Sequence, residues 1–137
     1  MTSLPPVPKF GLLDTSVVID LPTLSIDELP AFPTISSVTL AELSVGPQLA
    51  KDAKTKQARQ LVLQQAEASF DPLPFDDACA RRFAIVATAM RENGRKSRAR
   101  AFDALIAATA LRHDLPLYTR NEKDFAKIPG LDVRPVP

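Results

Sequence analysis

Short apolar runs recur along the chain at 10–13, 34–38, 73–75, 115–119 and 133–136, each bounded by proline, glycine or acidic residues, and the stretches between them have helical composition. Runs of this size fit buried strands better than helices. Strands that alternate with helices form βαβ units, whose crossovers cover both faces of a parallel sheet. The predicted fold class is therefore α/β, with a central, mostly parallel sheet of about five short strands.

The intervening helices carry their own start and stop signals. A helix from Thr15 ends before Pro22, and Thr39-x-x-Glu42 reads as a capping box opening a second helix. Residues 48–69 place Ala58, Leu61, Val62, Gln65 and Ala66 on one face and read as a surface helix that serves as scaffold. Asp76 or Asp77 caps a helix that buries Cys79, Phe83, Val86 and Met90 and ends at Asn93-Gly94. After a basic loop comes the helix carrying Asp103, with Leu105, Ile106, Thr109 and Ala110 as its packing stripe. The 137 residues suit one domain, 1–137, with room for a real core.

Composition narrows the chemistry. With a single cysteine and a single histidine, Cys79 and His113, neither a disulfide framework nor a nitrogen- or sulfur-liganded zinc site is available within one chain. No run approaches the length of a membrane span, and MTSLPPVPKFG lacks the pattern of a signal peptide, so a soluble cytoplasmic protein is expected. The net charge of +1 is uninformative by itself. Its distribution is not: Arg91, Arg95, Lys96, Arg98 and Arg100 crowd the approach to Asp103, and Arg120 follows the fourth run. Placed beside a cleft, such residues would track the phosphates of a polyanion and make binding fall with salt. Otherwise they form a solvated loop.

The acids pose the sharper question. Asp14, Glu42 and the Asn121 to Asp124 segment each follow a candidate strand, and Asp103 approaches from a helix. Each has an ordinary explanation as a helix cap or first-turn acid, worth about 1 kcal/mol. Together they acquire another, because the C-terminal ends of parallel strands gather along one edge, where ligands bind. Two carboxylates about 4 Å apart repel by roughly 4 kcal/mol at an effective dielectric near 20, a cost relieved by protonation, a cationic side chain or a divalent metal. An all-oxygen site suits Mg²⁺ or Mn²⁺.

Four segments in order, LLDTSVVID at 12–20, TLAELSVG at 39–46, FDALIAATA at 102–110 and YTRNEKDF at 118–125, resemble the PIN-domain ribonucleases, and most closely the VapC-type toxins of bacterial toxin–antitoxin pairs. The resemblance implies a three-layer α/β/α sandwich and Mg²⁺- or Mn²⁺-dependent endoribonuclease activity. It also implies a homodimer and neutralisation by a cognate VapB-like antitoxin. By motif, Asp14, Glu42 and Asp103 match the family's acidic metal-binding positions. Where many relatives carry an acid directly after Thr-Arg, this chain has Asn121, with Asp124 three residues on; either completes the site. Thr15, Ser16 and Thr119 match hydroxyl positions near the cleft. The RNA itself is open among transfer RNA, a ribosomal loop and messenger RNA.

Other readings fare worse. A haloacid-dehalogenase-like phosphatase needs an acid two residues after the first, where Ser16 stands, and glycines at 11, 46, 94 and 130 exclude G-x-G-x-x-G. The remaining alternative is a PIN-fold RNA- or protein-binding module with weak or no nuclease activity.

Overall fold

Four strands pair in the spatial order β2-β1-β3-β4, every neighbour parallel, with β1 Phe10–Leu13, β2 Phe32–Thr34, β3 Leu117–Thr119 and β4 Val133–Pro135. The computed structural model describes residues 9–92 and 98–137. Five α-helices among the described residues complete the framework: α1 Thr15–Asp20, α2 Ser37–Leu49, α3 Ala53–Ser69, α4 Asp77–Glu92 and α5 Arg98–Arg112. No helix among the described residues is long and apolar enough to cross a membrane.

Alternation along the strands builds the layers. Leu12 and Leu117, partners in register, face a cluster that includes Val86 and Met90 of α4 and Ile106 and Ala110 of α5. Their successors Leu13 and Tyr118 face the opposite cluster, with Val17 and Val18 of α1, Leu43 of α2 and Ala66 of α3. A two-residue period on the central strands thus produces the α/β/α sandwich. Ala104, Ala107, Ala108 and Ala110 on α5 are buried, and their small side chains let that helix approach the sheet closely. Gly11 does the same on the other side: a Cβ there would lie 2.5 Å from a Tyr118 ring carbon and 2.9 Å from Pro30.

Several sequence-based boundaries shift, each for a local reason. The predicted fifth strand at 73–75 shrinks to one bridge, in which Leu73 exchanges backbone hydrogen bonds with Ile35 and Ser37, each 2.9 Å. Pro72 and Pro74 flank it, and proline has no N–H with which to extend a ladder. The second strand lies at 32–34 instead of 34–38, because the Ser36 hydroxyl caps α2 by accepting the Val38 N–H at 3.0 Å. Thr39 is therefore not a helix cap but a fully buried residue of the first turn. The helix expected at 48–69 begins at Ala53: Asp52 caps it, accepting the Thr55 N–H at 2.7 Å, and α2 closes at Leu49 just after Pro47. Asp103 lies well inside α5, so it is no cap.

Candidate active site

The order β2-β1-β3-β4 makes the β1/β3 pair the topological switch point, since the chain leaves β1 in one direction and returns in the other. Ligands of open parallel sheets bind at the carboxyl ends of such a pair. Asp14 is the first residue beyond β1, and Thr119 is the last of β3. The Asp14 N–H donates to the Tyr118 carbonyl at 3.0 Å, which joins the two strand ends.

Asp14 is almost entirely enclosed, 3% exposed, and its carboxylate is fixed from three sides. Oδ1 accepts the Ser16 hydroxyl at 2.6 Å and the Val17 N–H at 3.1 Å, while Oδ2 accepts the Thr119 hydroxyl at 2.5 Å. The hydroxyls are themselves held: Ser16 Oγ accepts the Arg120 N–H at 3.1 Å, and Thr119 Oγ1 accepts the Asn121 N–H at 2.9 Å. Each oxygen thus spends its single proton on Asp14 and takes one from the backbone after β3. Asp14 does cap α1, as the ordinary explanation held, and the cap is one part of a larger network. Burial pushes its carboxyl above the usual range, opposed by the bonds from Ser16, Thr119 and Val17.

Glu42 reaches the site from the second turn of α2. Its Oε1 accepts the Thr15 hydroxyl at 2.6 Å, and Thr15 Oγ1 lies 3.2 Å from the Thr39 hydroxyl. Burial raises its pKa, the bond from Thr15 lowers it, and the charge of Asp14 raises it again. Asp103 is pushed up to about 7, first by burial and then by the charges of Asp124, Glu42 and Asp14, with Arg100 pulling the other way. Four carboxylates, from the end of β1, from α2, from α5 and from the turn after β3, therefore act on one another.

Arg100 stands among them, not out in solvent. Its Nη1 is 2.6 Å from Asp124 Oδ1 and 3.3 Å from Asp103 Oδ2. Arg120 pairs with Asp20 at 2.7 Å. Arg95 and Lys96 lie outside the described residues, and Arg98 opens α5. Between the two residues expected to finish the acidic set, the field at Asp103 includes Asp124; Asn121 contributes its backbone to Thr119 and its carbonyl to the Asp124 N–H, 2.9 Å away. His113, just beyond α5, and buried Cys79 on α4 belong to neither the network nor the cluster.

One contribution escapes the sequence reading. A cleft of about 650 Å³ opens from Thr15 and Glu42 and is walled by Ile19, Leu43, Lys54 and Arg59. Its far wall is α3, read from sequence as scaffold. The signal available was the basic run Lys51, Lys54, Lys56 and Arg59, which an amphipathicity argument passes over.

The model of the PIN domain family matches residues 12–131, a span that holds all four acids. The chain belongs to the PIN-domain family. This PIN domain is 38% identical over 126 residues to Ribonuclease VapC5 of Mycobacterium tuberculosis, covering 90% of each chain. It is 32% identical over 126 residues to Ribonuclease VapC4 of the same organism, with 90% of this chain and 94% of that one covered. Its fold superposes on the crystal structure of VapBC-5, a member of the VapBC family of toxin–antitoxin systems from M. tuberculosis. That match has a TM-score of 0.79 and 32% identity, over 94% of this chain and 100% of that one.

A metal ion is part of what the PIN resemblance implies, and the donor set fits a hard cation. All four groups are carboxylates, and burial first and the charges of Asp124, Glu42 and Asp14 next raise Asp103, with Arg100 compensating in part. As they stand, no three His, Cys, Asp or Glu side chains among the described residues are close enough to hold an ion, and Arg100 draws Asp103 and Asp124 onto itself.

Proposed function

We propose that this chain is a Mg²⁺- or Mn²⁺-dependent endoribonuclease toxin of the VapC type, acting in the cytoplasm and held inactive by a VapB-like antitoxin. The observation that carries the reading is the shared field of Asp14, Glu42, Asp103 and Asp124 at the β1/β3 switch point. The relatives' names support RNA as substrate, and the toxin–antitoxin complexes among the related structures support the partner.

A phosphodiester resists attack because it is anionic, so cleavage needs its charge neutralised and a water made nucleophilic. A divalent cation bound by Asp14 and Asp103, with Glu42 and Asp124 alongside, supplies both effects. The chain's own residues do the rest. Ser16, Val17 and Thr119 fix Asp14 in one orientation. Glu42 is anchored through Oε1 by Thr15, which positions it as a general base for the attacking water. Lys54 adds a positive charge to the wall of the neighbouring, mainly apolar cleft, and Arg59 is tied there to the Gly46 carbonyl at 2.8 Å.

The test uses purified protein, total RNA and MnCl₂, with Asp14→Ala and excess EDTA as controls and new RNA ends mapped by sequencing. Discrete cleavage that vanishes in both controls is expected. Equal cleavage with EDTA contradicts the mechanism, and RNA binding without cleavage in any metal favours the binding-module reading.

A further inference from the structure

The chain brings its own cation into the acidic cleft. Arg100 lies one turn before Asp103 on α5, so helix geometry holds its guanidinium over that carboxylate, and the same Nη1 reaches Asp124 on the turn after β3. The acids are therefore answered differently. Asp14 and Glu42 are satisfied by hydroxyls and backbone, which a metal ion leaves in place, whereas Asp103 and Asp124 are bound to a positive charge that a metal ion must replace.

We propose that Arg100 is an internal competitor for the metal: it holds Asp103 and Asp124 while no divalent cation is present, sets the affinity for that cation, and is released toward the RNA phosphates once the ion enters. The proposal rests on the metal-dependent reading above. Three observations carry it. Arg100 stays charged at every relevant pH, so it does not titrate away from the site. All three side chains are partly exposed, 27% for Arg100, 18% for Asp103 and 26% for Asp124, and pairs with this much solvent are weak enough to exchange. One nitrogen of Arg100, Nη1, serves both carboxylates at once, so the two acids are gathered by the cation that a metal ion would displace.

Mn²⁺ binding to the full chain, followed by calorimetry and by the loss of the free-ion paramagnetic resonance signal, tests this without any cleavage readout. Arg100→Gln is expected to tighten Mn²⁺ binding by about three- to tenfold, with Arg100→Lys in between. Arg81→Gln, the same charge change at an exposed position on α4, is expected to leave binding unchanged. If the wild-type chain binds Mn²⁺ and Arg100→Gln binds it equally or more weakly, Arg100 is a structural tether and the inference falls while the nuclease reading stands. Equal tightening in Arg81→Gln reduces the effect to net charge and also overturns it. If neither the wild-type chain nor Arg100→Gln binds Mn²⁺, the metal-dependent reading itself fails.

Discussion

Thr119 donates its hydroxyl to Asp14 at 2.5 Å across 105 positions of sequence, and the same oxygen accepts the Asn121 N–H. Thr119→Val keeps the shape and deletes both bonds. Partners that orient a metal ligand are typically worth about 10- to 100-fold in metal affinity or activity. Thr119→Val is therefore expected to lose RNA cleavage by about that factor, and Thr119→Ser to recover most of it. Rates measured at matched folded fraction check this.

Asp103 adds a pH dependence whose sign is fixed. Its carboxyl is held at about 7 in the fold against an ordinary 3.8. Between those values the unfolded chain has released a proton that the folded chain keeps, so stability falls as pH rises through the interval and levels off above it. Asp103→Asn removes that loss. In EDTA at pH 8 it is expected to melt about 10 °C higher than the parent, and at pH 4 only about 2 °C higher. Equal shifts at both values, read by scanning calorimetry, refute the assignment.

Metal addition should act in the opposite sense along the same axis. A cation prefers Asp103 ionised, so Mn²⁺ is expected to raise the melting temperature more at pH 8 than at pH 5.5. At about 100 times its dissociation constant a ligand of the folded state contributes about 2.7 kcal/mol. Chelation should reverse the shift completely.

Gly11→Ala tests the packing behind the site. The new methyl would press on the Tyr118 ring and Pro30, beside the β1–β3 pairing that joins Asp14 to Thr119. Overpacking of this kind costs about 1–3 kcal/mol. Urea denaturation is expected to show a lower midpoint with an unchanged slope; an unchanged midpoint contradicts the contact.

The parallel α/β core was legible because apolar runs of strand length alternate with helices, and Asp14, Glu42 and Asp103 were legible because their motifs come in family order. What stayed hidden depends on contacts distant in sequence. Thr39-x-x-Glu42 fits a capping box perfectly well, and only the fold shows Ser36 taking the cap while Glu42 turns to Thr15. Leu73 has the composition of a strand residue, yet its flanking prolines limit it to one bridge. Arg100 reads as one more charge in a basic loop until Asp124 arrives beside it from the turn after β3. No period within a single helix reports that meeting.

Because β3 is added directly against β1 after all five helices have been laid down, every nascent fragment that stops short of residue 117 lacks one half of the cleft. Such a fragment has Asp14, Glu42 and Asp103 but neither Thr119 to hold Asp14 nor Asp124 to meet Arg100. The two halves of the site therefore meet only through the segment from Leu117 onward, which closes back on β1 across more than 100 positions of sequence.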